Sequence, residues 1–187
     1  MDVFRFFWSF LRHPKDVSSI IPTSRWSARR LATRIPTDRR VCVVEYGPGT
    51  GVVSWEVLRR MTPDSKLLLI EKTPMLAQRL KADFATDARA VVVEGDALEV
   101  EQILRSAGES SADVVLTSIP FSLMTPEVRR GILEATKRAL RVGGILVVFL
   151  FRPVVGTYVA EVFPTVKRSL LWWNIPPLMT FEAEKSA

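Results

Sequence analysis

Val41-Cys42-Val43-Val44-Glu45-Tyr46-Gly47-Pro48-Gly49-Thr50-Gly51 joins an apolar run at 41–46 to a glycine-rich turn, and a helical pattern follows at 52–61. Glycines let a backbone turn sharply and approach a ligand with no Cβ in the way. Their spacing narrows the ligand. A dinucleotide fingerprint places glycines at the first, third and sixth positions, and the sixth position here is Val52. A phosphate loop ends in Gly-Lys-Ser/Thr, and no such ending follows Gly51. What remains is a turn between a buried strand and a helix, the place where open α/β sheets receive ligands of other kinds.

Outward from that turn the pattern alternates. Further apolar strand runs stand at 66–71, 90–94, 113–118 and 145–151, with helical stretches at 74–82, 98–107 and 126–140 between them. Continuous apolar strands separated by helices predict an α/β fold, a mostly parallel sheet covered on both faces. The tail predicts a short helix near 156–163, then strands at 165–173 and 176–183 around Asn174-Ile175-Pro176-Pro177. These close the sheet with an antiparallel pair and bring it to seven strands. Neighbouring strand residues face opposite ways, so at least one of Trp172 and Trp173 is expected in the core.

A chain of 187 residues, 48% of them hydrophobic, is sized for one domain with its own core. The lone Cys42 and lone His13 exclude an intramolecular disulfide, a Cys/His metal cluster and a histidine-based nucleophilic triad, so no metal is expected. The net charge of +6 is confined to residues 1–40, which hold nine Arg/Lys against three Asp, while the remainder is balanced. A basic arm on a neutral core implies an anionic partner, nucleic acid or acidic lipid.

Within that arm Val3, Phe4, Phe6, Phe7, Trp8, Phe10 and Leu11 cover a wide helical arc, while Asp2, Arg5, Ser9, Arg12 and Asp16 follow a narrow stripe. Such a helix suits the headgroup region of a membrane, where its rings are buried and its cations sit near phosphate. Packing on the protein's own core or on a second subunit is the alternative. The opening residues lack a secretory n-region and cleavage site, and no apolar run reaches the roughly 20 residues of a bilayer span. A cytoplasmic chain, held peripherally at the inner face of the membrane, is therefore expected. Residues 18–40 read as a proline-marked loop and a short basic helix from near Ser24, or simply a linker, so the division falls into an arm at 1–40 and a core at 41–187.

Three glycines at alternate positions after Glu45 resemble motif I of the class I methyltransferases, which bind S-adenosylmethionine on a Rossmann-like sheet. The resemblance implies that Glu45, Tyr46, Gly47, Gly49 and Gly51 bind this cofactor, with Glu45 toward its cationic methionine end. It places Glu71 on the ribose hydroxyls, Asp96 after Gly95 on the adenine amino group, and Lys72 and Ala97 along the adenosine. Ser118, in Ser118-Ile119-Pro120-Phe121, falls where an acceptor amine is held in amino methyltransferases. Ser118, Tyr158 or water is then left to relay its proton.

Over essentially its whole length the chain is similar to the bacterial phospholipid N-methyltransferases, which convert phosphatidylethanolamine stepwise to phosphatidylcholine. The resemblance rests on Phe10-Leu11-Arg12-His13-Pro14, Ser19-Ile20-Ile21-Pro22-Thr23-Ser24, the motif I segment, Glu94-Gly95-Asp96-Ala97, Ser118-Ile119-Pro120-Phe121, Leu140-Arg141-Val142-Gly143-Gly144 and Asn174-Ile175-Pro176-Pro177. It implies an N-terminal helix on anionic phospholipid, Ile20, Ile21 and Ser24 over the cofactor, and a phosphatidylethanolamine headgroup in the site. Tyr158 would face that headgroup, through phosphate or a methylated ammonium, or else be a satisfied helix tyrosine. Arg152 is either a phosphate partner or solvated surface. Ribosomal RNA adenine dimethyltransferases share the core but carry Asn-x-Pro-Tyr/Phe after strand four and a C-terminal helical domain. Ser118 and the short tail depart from both features, so nucleic acid is not the expected partner, although an RNA or small-molecule amine substrate is the alternative.

Overall fold

In a computed structural model, residues 23–172, 174 and 176–187 are described. The expected amphipathic helix at 3–12, Ile20, Ile21 and Trp173 lie outside them.

Five strands run parallel: β1 (Cys42–Tyr46), β2 (Lys66–Glu71), β3 (Ala90–Glu94), β4 (Ala112–Thr117) and β5 (Leu140–Leu150). β6 (Val166–Leu171) and β7 (Leu178–Glu184) complete a seven-stranded sheet of order β3-β2-β1-β4-β5-β7-β6, with β7 antiparallel to both neighbours. The helices are α1 (Arg25–Ala32), α2 (Val52–Leu58), α3 (Pro74–Asp83), α4 (Val100–Ser106), α5 (Pro126–Ala139) and α6 (Val155–Ala160).

Strand alternation sends the apolar residues of β1 both ways. Cys42, Val44 and Tyr46 join the core beneath α4, α5 and α6, whereas Val41 and Val43 join the core beneath α1, α2 and α3. Both faces are thus covered, which explains why these strands read as unbroken apolar runs. Burial pushes the Cys42 thiol up to about 12, so it packs as a hydrophobe and is no nucleophile at neutral pH.

The expected elements are present, with shifted ends. The stretch at 98–107 divides into a 3-10 turn, Ala97–Glu99, and α4. β5 begins at Leu140 rather than 145, because Gly143 takes a positive φ of 72° and the register with β4 slips between Ala112 and Val114. A Cβ on Gly144 would stand 2.9 Å from the Arg141 carbonyl oxygen, so the irregularity needs glycine. Trp172, just beyond β6, is exposed.

The basic segment after α1 is tied to the core. Arg34 pairs with Glu182 of β7, Arg39 with Asp113 at 2.7 Å, and Arg40 with Glu109. Much of the positive charge that marked this segment in the sequence therefore meets internal carboxylates, an arrangement that charge counting along a chain does not reveal. α1 buries Ala28, Leu31 and Ala32, and Ser24 caps it by accepting from the Ser27 N–H at 3.1 Å.

Candidate active site

The strand order reverses between β1 and β4, which opens a crevice at their carboxyl ends. Register pairs Tyr46 with Thr117 and Glu71 with Glu94, so the tips carrying the glycine turn, Ser118, Glu71 and Gly95 stand in one row.

Gly47, Gly49 and Gly51 all adopt positive φ, 62°, 57° and 73°. Gly47 donates to the Ile70 carbonyl at 2.9 Å, and a Cβ there would lie 2.9 Å from Ile119 Cγ2, so the turn is backed against the segment leaving β4. A Cβ on Gly49 would meet nothing within 4 Å. The turn is therefore braced at its base and opens at its tip onto free space over the strand ends, a fit for S-adenosylmethionine.

Glu45 is 2% exposed, and its Oε2 accepts from Ser54 Oγ of α2 at 2.6 Å. Burial lifts its carboxyl to about 7, and the Ser54 bond only partly offsets this. Tyr46 points the other way: its hydroxyl is 3.1 Å from Thr136 Oγ1 of α5, inside the core, so only its backbone stands at the site.

Glu71 is buried and accepts from the Thr73 N–H at 2.9 Å through Oε1 alone, leaving Oε2 without a hydrogen bond among the described residues. Gly95 donates to the Glu71 carbonyl at 3.1 Å. Asp96 accepts from the Leu98 N–H at 3.0 Å and from Lys72 Nζ at 2.8 Å, and these two bonds hold its carboxyl below the usual range. Lys72 thus meets Asp96 by its ammonium as well as following Glu71 by its backbone. Ala97 is buried at the base of this turn.

Past β4, buried Thr117 accepts from the Ile119 N–H at 3.2 Å, which shapes the turn and leaves Ser118 half-buried at the crevice. Tyr158, on α6, is half-buried against the core beneath α4, α5 and α6, and the Arg129 guanidinium covers one face of its ring with its carbon 3.5 Å from the centroid. Arg152 is exposed.

β7 is antiparallel to β5, so the β6–β7 connection returns to the carboxyl edge of the sheet, where Leu150 pairs with Met179. There the Ser24 N–H donates to Asn174 Oδ1 at 2.7 Å, and Asn174 Nδ2 donates to the Pro176 carbonyl at 3.1 Å. The two terminal motifs therefore form one clasp at the rim of the crevice. Sequence reading singled out both without joining them, and it missed Ser54 and Arg129, which carry no motif of their own.

The methyltransferase domain family profile matches residues 43–144. The chain is 33% identical over 143 residues to an ornithine lipid N-methyltransferase of Singulisphaera acidiphila, covering 76% of this chain and 74% of that one. It is 31% identical over 104 residues to ribosomal RNA small subunit methyltransferase A of Chlorobium phaeobacteroides, covering 56% of this chain and 36% of that one. In fold it is similar to precorrin-6y C5,15-methyltransferase of Geobacter metallireducens, with a TM-score of 0.69 at 16% identity over 88% and 90% of the two chains. From the sheet order, the braced glycine turn and the match that spans it, the chain belongs to the class I S-adenosylmethionine-dependent methyltransferase family.

Proposed function

We propose that this enzyme methylates the amine of a membrane lipid headgroup, taking phosphatidylethanolamine and its mono- and dimethyl derivatives toward phosphatidylcholine at the inner face of the membrane. One observation carries the membrane part. Trp26, Met75, Leu98, Leu123, Val154 and Trp172 are exposed, and all lie in segments at the carboxyl edge of the sheet, around the crevice. Trp26 and Trp172 flank the Ser24–Asn174 clasp. An apolar, Trp-bearing rim around a site suits a lipid–water interface. The amphipathic pattern at 3–12 leads in sequence toward the same clasp and would add to that contact.

Bound S-adenosylmethionine supplies an activated methyl group on a sulfonium. The chain's part is to bind and align. In this reading Glu45, when ionised, holds the amino end of the methionine moiety, and the open Oε2 of Glu71 accepts from ribose. Ser118 and the backbone beside it hold the acceptor amine with its lone pair toward the methyl carbon. Ammonium headgroups must lose one proton first, and Ser118, Tyr158 or a water passes it out.

The S. acidiphila relative favours a second acceptor of the same class, the amine of an ornithine lipid. Incubation with radiolabelled S-adenosylmethionine and vesicles of phosphatidylethanolamine, vesicles of ornithine lipid, or unmodified RNA separates these. Label in phosphatidylethanolamine is the expected result. Label confined to ornithine lipid moves the substrate within the class, and label confined to RNA overturns the proposal.

A further inference from the structure

We infer that Arg129 is a preformed binding group for the oxyanion of the acceptor headgroup, held in place by the ring of Tyr158; this rests on the lipid reading above. Arg129 stands in the first turn of α5 and Tyr158 on α6, and these helices begin just beyond the carboxyl ends of the neighbouring strands β4 and β5. The first turns of α5 also lie against the Asp96–Leu98 turn, since a Cβ on Gly131 would stand 3.1 Å from Leu98 Cδ2. Arg129 itself shares the helix face of buried Ile132 and Leu133, three and four residues on, so it stands above the core side of α5 at the end next to the strands' carboxyl ends.

The Arg129 guanidinium carbon lies 3.5 Å from the Tyr158 centroid, a stacking contact that fixes the plane of the fork. Other arginines of α5 are neutralised: Arg130 meets Glu134 at 2.9 Å and Arg138 meets Glu101 at 2.9 Å. Among the described residues Arg129 has no ion pair, and its Nε is buried without a hydrogen-bond partner. A buried donor left unmade is costly, and an arginine fork is shaped to give paired bonds to a phosphate or carboxylate. Both candidate headgroups supply such a group a few bonds from the amine, a phosphodiester in phosphatidylethanolamine and a carboxylate in ornithine. Fixing the oxyanion at Arg129 confines where the amine can reach, which is the role of a positioning clamp. Tyr158 then acts through Arg129 as a platform, so its ring matters more than its hydroxyl.

The test uses the full chain with phosphatidylglycerol vesicles doped with phosphatidylethanolamine or with ornithine lipid, at varied lipid and varied S-adenosylmethionine. On whichever lipid the wild type methylates, R129M is expected to raise the lipid KM about tenfold or more while leaving the KM for S-adenosylmethionine as it was. R129K is expected to recover part of that loss. Y158L should reproduce the R129M defect, with Y158F falling between it and the wild type. Calorimetric uptake of S-adenosylhomocysteine by R129M shows that the site is folded. A lipid KM untouched by R129M, or lipid and cofactor KM rising together, overturns the inference. Wild type that methylates neither lipid overturns the function on which it rests, and the inference with it.

Discussion

With its carboxyl lifted to about 7, Glu45 is near half-ionised at neutral pH. Its folded value lies above the ordinary 4.5, so folding takes up a proton between about 4.5 and 7. Stability therefore falls as pH rises through that window and the loss is complete above it. E45Q removes the ionisation. In urea melts it is expected to be more stable than wild type above pH 7, by up to ~3 kcal/mol, with the gap closing toward pH 4.5. The same variant should bind S-adenosylhomocysteine more weakly by calorimetry, since the ion that faces the amino end is gone. S54A removes the bond that holds the carboxyl down, so the pH at which this affinity appears should move to the alkaline side. Equal stability of E45Q and wild type at pH 8 would show that the buried carboxyl is solvated after all. The position of Glu45 was legible from the strand end; its partner was not, because Ser54 sits nine residues on and becomes a neighbour only when α2 folds back over β1.

Among the elements, the glycine turn and the clasp give contrasting expectations. Both G47A and G49A force a side chain into positive φ, at about 1–2 kcal/mol. Only Gly47 also has Ile119 in the way, at 2.9 Å, whereas Gly49 opens onto the space where a ligand would lie. G47A is therefore expected to lose more thermal stability, and G49A to lose cofactor affinity out of proportion to its smaller drop in Tm; the reverse order would place the ligand elsewhere. N174A strips the buried acceptor from the Ser24 N–H and should cost about 1–3 kcal/mol, with faster proteolytic nicking ahead of α1 as a second readout. β2 and β3 were legible to the residue because both are continuous apolar runs, buried in β2 and half-buried in the edge strand β3. The start of β5 was not, since Gly143-Gly144 has the chemistry of a turn yet here serves a bulge inside the strand. Nor was the clasp, since a contact between residues 150 positions apart leaves no local pattern.

At the scale of the molecule, the distribution of cations separates fold from surface. Arg34, Arg39 and Arg40 are held against Glu182, Asp113 and Glu109, with Arg141 sharing Asp113 and Lys66 sharing Glu109, so these arginines are tied to partners within the chain. Cations free to meet a lipid surface must come from elsewhere, such as Arg25 and Arg30 beside Trp26 on exposed positions of α1, and the residues before Ser24. Attraction of this kind is screened by salt, whereas burial of tryptophan rings is not. Two contributions to vesicle binding are therefore expected and can be taken apart by co-sedimentation with phosphatidylglycerol vesicles. Deleting residues 1–12 should weaken binding at every salt concentration, because that stretch carries both rings and arginines. The W26A/W172A double variant should weaken it by a factor that persists in high salt, while R25Q/R30Q should weaken it at low salt only. R39Q/R40Q should leave binding alone and lower Tm instead, since those arginines pair with Asp113 and Glu109. Sedimentation unaffected by the deletion and by the tryptophan pair would refute the apolar rim as the membrane-facing surface and leave the crevice open to a water-borne acceptor.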